Sequence, residues 1–193
     1  MKIAIIPSIK ETYKNQFEYC VDIKLINFLN RIFTNGTIEI LTKKQELNKN
    51  FKILIISGGN DLYKFSKKKK DLIRSKLDNY YYKESISLNI PILGICYGAQ
   101  FIATKFKGRF KKKNHTKKHY IKINNYNKNI LVNSYHKYII TSLGQNCSVK
   151  GTALDKSIEF FQVKKIIGIM WHPERYKNLK LLDKKIIKNL TCS

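Results

Sequence analysis

Apolar and polar positions along this chain switch between a period of two and a period near 3.6. Residues 2–7 form a short β-branched run closed by Pro7, which predicts a buried strand. In residues 16–33, Phe17, Cys20, Val21, Leu25, Phe28, Leu29 and Ile32 recur at helical spacing and predict one helix. Residues 37–41 and 52–57 read as second and third strands, and 67–82 as a helix with a lysine-rich outer face. A fourth strand over 90–95 runs into a helix over 97–106. Strands alternating with helices imply a parallel sheet covered on both faces. Further on, residues 120–123, 130–132, 138–140 and 166–170 are short strand-like pieces. They predict an antiparallel extension and a return to the main sheet, with a last helix over 179–190. No repeat or Pro/Gly/Ser linker interrupts the pattern, so residues 1–193 read as a single α/β domain.

The 43% hydrophobic content excludes a disordered chain. No apolar run approaches the roughly 18 to 20 residues needed to span a bilayer, so no membrane partner is expected. The apolar start is broken by Pro7, Lys10 and Glu11, too early for a secretory signal, and a cytoplasmic location is expected. The net charge of +25 has the form of a nucleic-acid binder's footprint. The excess is mostly lysine, however, and travels with many isoleucines and asparagines, all with A/T-rich codons. Arginine, the better bidentate phosphate ligand, is scarce, so nucleic acid is not the expected partner. The most basic stretch, 105–122, gathers Lys111, Lys112, Lys113, Lys117, Lys118 and Lys122 with His115 and His119. It reads either as a solvated loop or as a rim that attracts an anionic substrate.

Cys20, Cys96, Cys147 and Cys192 form no CxxC pair and no metal-ligand spacing with the four histidines. No metal and no cofactor are therefore expected. Cys20 falls in the amphipathic pattern as a core residue, and only Cys96 has suggestive surroundings. There a hydrophobic strand enters Gly94-Ile95-Cys96-Tyr97-Gly98 and leaves as a helix, the thiol form of a nucleophile elbow. Residues two places either side of the nucleophile must be small, because side chains there would collide across the turn. The sulfur would sit at a helix N-terminus, where the dipole favours thiolate, and the Tyr97 amide could face a developing oxyanion. A buried structural cysteine is the rival reading, and it weakens once a base is found. Trp171-His172-Pro173-Glu174, directly after the strand at 166–170, offers one: His172 can reach the thiol and Glu174 can fix its tautomer. Ser57-Gly58-Gly59-Asn60-Asp61, at the end of the third strand, lets backbone amides approach a substrate oxygen.

These segments, with Val132-Asn133-Ser134-Tyr135-His136, resemble the signatures of class I glutamine amidotransferases and their relatives, the γ-glutamyl hydrolase peptidases. The resemblance implies a flavodoxin-like three-layer sandwich with a mostly parallel sheet. It implies Cys96 as the nucleophile forming a γ-glutamyl thioester, His172 as base and then acid, and Glu174 as its orienting partner. Gly59 and Tyr97 would supply oxyanion amides. Gly58, Asn60, Gln100, Ser134, Tyr135 and His136 would contact the glutamyl group. The chain departs from the family at Met170, Ile102-Ala103 and Tyr138, where glutamine, Leu-Asn and glutamine are common; these positions bear on the leaving group. By overall similarity it resembles the short γ-glutamyl-CDP-amidate hydrolases of capsule phosphoramidate synthesis, which implies a small-molecule substrate with an anionic nucleotide leaving group. The alternatives are a glutaminase subunit delivering ammonia to a separate synthetase, and a non-catalytic polyanion-binding protein.

Overall fold

The structure, a computed structural model, describes residues 1–124 and 126–191. Cys192 lies outside them. In chain order the elements are β1 (Lys2–Ile6), β2 (Ser8–Tyr13), β3 (Gln16–Cys20), α1 (Ile23–Ile32), β4 (Thr37–Ile40) and β5 (Phe51–Ile56). Then come α2 (Tyr63–Ser66), α3 (Lys69–Ser87), β6 (Ile92–Ile95), α4 (Tyr97–Lys105), β7 (Arg109–His115) and β8 (His119–Ile123). The chain ends with β9 (Ile130–Val132), β10 (His136–Ser142), β11 (Ser148–Ala153), β12 (Ile158–Val163), β13 (Ile166–Ile169), a 3-10 turn (Pro173–Arg175) and α5 (Leu181–Thr191).

Five parallel strands in the order β4-β1-β5-β6-β13 form the centre of the large sheet. Their near-continuous apolar runs reflect burial on both faces. Ile3, Ile5, Ile53, Ile55, Leu93 and Ile95 pack on one face, against Leu25 and Leu29 of α1 and Ile187 and Leu190 of α5. Ala4, Ile6, Leu54, Ile56 and Ile92 point the other way, against Leu77 and Tyr81 of α3 and Ala99, Ile102 and Ala103 of α4. The result is the expected three-layer α/β sandwich. Beyond β13 the sheet turns antiparallel through β12, β11, β8 and β9, while β10 bridges β12 to β7.

Two sequence expectations are corrected. The helix over 16–33 starts only at Ile23, where the Asp22 side chain caps it by accepting from the Lys24 N–H at 2.9 Å. Residues 16–20 are instead β3, paired with β2 across a turn in which Asn15 takes a left-handed φ of 63°. Phe17 and Cys20 fit a helical period by coincidence, and Cys20 is half-buried on this hairpin rather than in the core. The basic stretch 105–122 is not a loop: most of it is β7 and the start of β8.

Candidate active site

Parallel pairing sets the site. Gly94 and Ile95 of β6 lie in register with Gly168 and Ile169 of β13, so both strands deliver their carboxyl ends to one sheet edge. Ligand sites in open α/β sheets form outside such ends. At the end of β6, Cys96 adopts φ 52° and ψ −102°, a conformation strained for a residue with a side chain. Its N–H donates to the Ile169 carbonyl at 2.8 Å, and its carbonyl accepts from the Gln100 N–H at 3.0 Å. The turn closes only because its flanks are bare. A Cβ at Gly94 would come within 2.5 Å of the Gly98 carbonyl carbon, and one at Gly98 within 2.0 Å of the Ile56 carbonyl oxygen. Tyr97 opens α4, so its N–H has no acceptor within the helix.

His172 follows β13 and is buried. Its Nδ1 lies 2.6 Å from Glu174 Oε1, so that nitrogen carries the proton and Nε2 faces the thiol side. The Asn133 side chain holds the backbone of His172 at both ends, accepting from its N–H and donating to its carbonyl, each at 2.8 Å. Burial works against a charge on His172, but the hydrogen-bonded Cys96 side chain and then the Glu174 carboxylate outweigh it, and the imidazole is pushed up to about 10. Gly58 sits against both groups. A Cβ there would lie 2.7 Å from His172 Cε1 and 3.5 Å from Cys96 Cβ. Gly58→Ala is therefore expected to displace the imidazole and lower kcat by ~10- to 100-fold while leaving the thermal midpoint nearly unchanged, since a small misplacement of a reacting group has effects of that order. Steady-state kinetics beside a melting curve check this.

Gly59 has φ 100°, open to glycine alone without strain, and a Cβ would also press on Ser8 Cβ at 3.0 Å. Cys96, Gln100, Gly59, Tyr135 and His172 line one cleft. Gln100 donates to the Tyr138 carbonyl at 2.8 Å, which orients its amide there. The half-exposed Tyr135 ring stands edge-on to His172, 5.4 Å between centroids, with the Arg175 guanidinium 4.5 Å over its face.

Three other expected contacts are turned to different partners. Asn60 lines the cleft, but its amide bonds the Ile9 N–H and carbonyl and the Asp71 carboxylate, tying β2 to the loop after β5. The Ser134 hydroxyl donates to the His115 carbonyl. His136 is buried at the cleft wall, with Nδ1 3.1 Å from the Tyr138 carbonyl and Nε2 3.5 Å from Glu159 Oε1. The expected basic rim is corrected as well: the cations lining the cleft are Lys70, Lys137 and Arg175, not Lys111, Lys112 or Lys113.

Sequence patterning missed Arg74 and Asp78. Both are fully buried in α3 and paired at 2.8 Å. Arg74 also donates to the Pro7 and Ser57 carbonyls, and Asp78 accepts from the Tyr97 hydroxyl at 2.7 Å. One ion pair thus fixes the ends of β1 and β5 and the first residue of α4. The i,i+4 spacing of Arg and Asp was the available signal. A strained thiol, an oriented imidazole and amides near the sulfur can together perform acyl transfer through sulfur.

The profile of the family described as glutamine amidotransferase class-I matches residues 15–191. The chain is similar to the γ-glutamyl-CDP-amidate hydrolase of Campylobacter jejuni, at 38% identity over 66% of this chain and 64% of that one. It is also similar, at 27% identity over 61% of this chain and 60% of the other, to the glutamine amidotransferase-like protein YvdE of Lactococcus lactis. Each match spans less than two thirds of the relative's own length. The solved structure of a glutamine amidotransferase from Thermotoga maritima superimposes with a TM-score of 0.65 at 17% identity, covering 90% of this chain and 76% of that one. At that identity the likeness is one of fold.

Proposed function

This chain belongs to the class-I glutamine amidotransferase family, and from that premise we propose that it is a cytoplasmic hydrolase of a γ-glutamyl amide using Cys96, His172 and Glu174. The observation that carries the reading is the strained Cys96 beside a His172 held at the other nitrogen by Glu174. The Cys96 thiolate attacks the γ-carbonyl carbon. The tetrahedral oxyanion is received by the Tyr97 and Gly59 amides. His172 gives its proton to the leaving nitrogen, the C–N bond breaks, and a γ-glutamyl thioester remains on Cys96. His172 then takes a proton from water, the resulting hydroxide attacks the thioester, and glutamate leaves as the thiolate is restored. Gln100 and Tyr135 would hold the glutamyl end, with the backbone at Ser134; Gly58 keeps room for the imidazole, and Asn60 and His136 shape the cleft wall.

The proposed substrate is γ-glutamyl-CDP-amidate, which would place the enzyme in capsule phosphoramidate synthesis. Two observations support it: the name of the Campylobacter relative, and the cations Lys70, Lys137 and Arg175 around the cleft, suited to a diphosphate-bearing leaving group. Glutamate release should be compared for γ-glutamyl-CDP-amidate, glutamine and γ-glutamyl-aminobutyrate under identical conditions. The first is expected to give the highest kcat/KM. If glutamine is best, the glutaminase-subunit reading replaces this one.

A further inference from the structure

Three of the chain's four histidines, His115, His119 and His136, converge on one carboxylate outside the catalytic pair. They come from the end of β7 and the starts of β8 and β10, and the carboxylate is Glu159 of β12. His115 and His136 face each other directly across the β7–β10 pair. Glu159 Oε1 lies 3.6 Å from His115 Nδ1, 3.4 Å from His119 Nε2 and 3.5 Å from His136 Nε2. The Glu159 side chain is 0% exposed and that of His136 is 2%. None of these three nitrogens, nor either oxygen of Glu159, has a hydrogen-bond partner among the described residues.

Each ring also has an acceptor at its outer nitrogen. His115 Nε2 is 2.9 Å from the Asp155 carboxylate, His136 Nδ1 3.1 Å from the Tyr138 carbonyl, and His119 Nδ1 3.4 Å from the Lys117 carbonyl. A ring whose outer N–H is received there can turn its inner lone pair to a metal ion. Three imidazole nitrogens around one buried carboxylate, each too far from it for a short hydrogen bond, are a donor set suited to a divalent transition metal. The spacing about the carboxylate fits as well: ligands about 2.0–2.1 Å from a tetrahedral zinc lie about 3.3–3.4 Å from one another, close to the 3.4, 3.5 and 3.6 Å from Glu159 Oε1 to the three histidines. The outer carboxylate and carbonyls are the supports that metal-bound histidines usually have.

We propose that His115, His119, His136 and Glu159 form a four-coordinate site for a divalent transition metal, zinc by preference. His115, His119 and Glu159 offer ligand atoms within 4.8 Å of one another, and His136 Nε2, 3.5 Å from Glu159 Oε1, is the proposed fourth ligand. The proposal departs from the expectation of no metal-ligand spacing, which looked to the cysteines. The H-x₃-H spacing of His115 and His119 was the available signal. The site joins β7, β8, β10 and β12. Because the Ser134 hydroxyl holds the His115 carbonyl and His136 follows Tyr135, the metal would stiffen the cleft wall that carries Tyr135. The inference does not depend on the proposed substrate.

The test uses untagged full-length protein stripped with a chelator and titrated with Zn²⁺ against a chromophoric competitor. One zinc per chain is expected, with Kd of about 1 µM or tighter. His119→Ala and Glu159→Gln should weaken it by ~100-fold or more, whereas Cys96→Ser should not. Should those variants fail to fold, Co²⁺ bound to the unaltered protein decides the matter. The site predicts intense four-coordinate d–d bands without sulfur-to-cobalt charge transfer. Binding no tighter in the unaltered protein than in His119→Ala, no stoichiometric zinc, or a charge-transfer band that vanishes in Cys96→Ser would each overturn the proposal.

Discussion

The Cys96→Ala protein is expected to fold, to bind a γ-glutamyl amide, and to turn over at a rate ~10⁴-fold or more below the parent, since removal of a covalent nucleophile has effects of that size. The side chain lies at the mouth of a turn whose shape is set by Gly94, Gly98 and the hydrogen bonds at the Cys96 backbone, so its removal costs little packing. His172→Ala should be comparably severe. Glu174→Gln should be milder, because a glutamine carbonyl still accepts from Nδ1. Rapid quenching of the unaltered enzyme followed by mass spectrometry should show a glutamyl adduct on the peptide containing Cys96. Full activity in the Cys96→Ala protein would remove the proposed chemistry altogether.

The second large effect is on stability. Arg74→Ala is expected to cost about 3–5 kcal/mol, because it strands a buried Asp78 and leaves the Pro7 and Ser57 carbonyls without a donor. Against a whole-domain stability of about 5–15 kcal/mol, that is a large share. Urea unfolding measures it. A triple replacement, Arg74→Met with Asp78→Leu and Tyr97→Phe, removes all three side chains of the network and should recover the part of the loss that comes from the stranded carboxylate, while the Pro7 and Ser57 carbonyls still lack the Arg74 donor. A cost below about 1 kcal/mol for Arg74→Ala would mean that the pair is solvated.

How much of this was legible in the chain depends on where the determining contacts lie. The parallel strands announced themselves because Ile3–Ile6 and Ile53–Ile56 are buried on both faces, so no polar position interrupts them. The elbow was legible because its steric demand falls on Gly94 and Gly98, close in sequence. The β2–β3 hairpin was hidden because Phe17 and Cys20 extend the periodicity of α1, while the stop, Asp22, is a single capping side chain. Arg74 and Asp78 fall in the lysine-rich helix that patterning predicts over 67–82, and only the packing of α3 over the ends of β1 and β5 buries them. Asn133 and the cluster at Glu159 depend on contacts across different strands, which no local spacing reports.

The place of β7 changes what its lysines mean. Among the described residues, β4, β9 and β7 of the large sheet each have a neighbour on one side only. The first two are four and three residues long, while β7 has seven. A free edge of that length offers a row of unpaired backbone groups to a strand from another chain. Lys111, Lys112 and Lys113 stand exposed on it, Lys113 paired with Asp155 at 2.6 Å, and a second copy docking edge to edge would bring the two sets of lysines close. Like charges in that arrangement repel, which disfavours edge-to-edge pairing of two copies through β7.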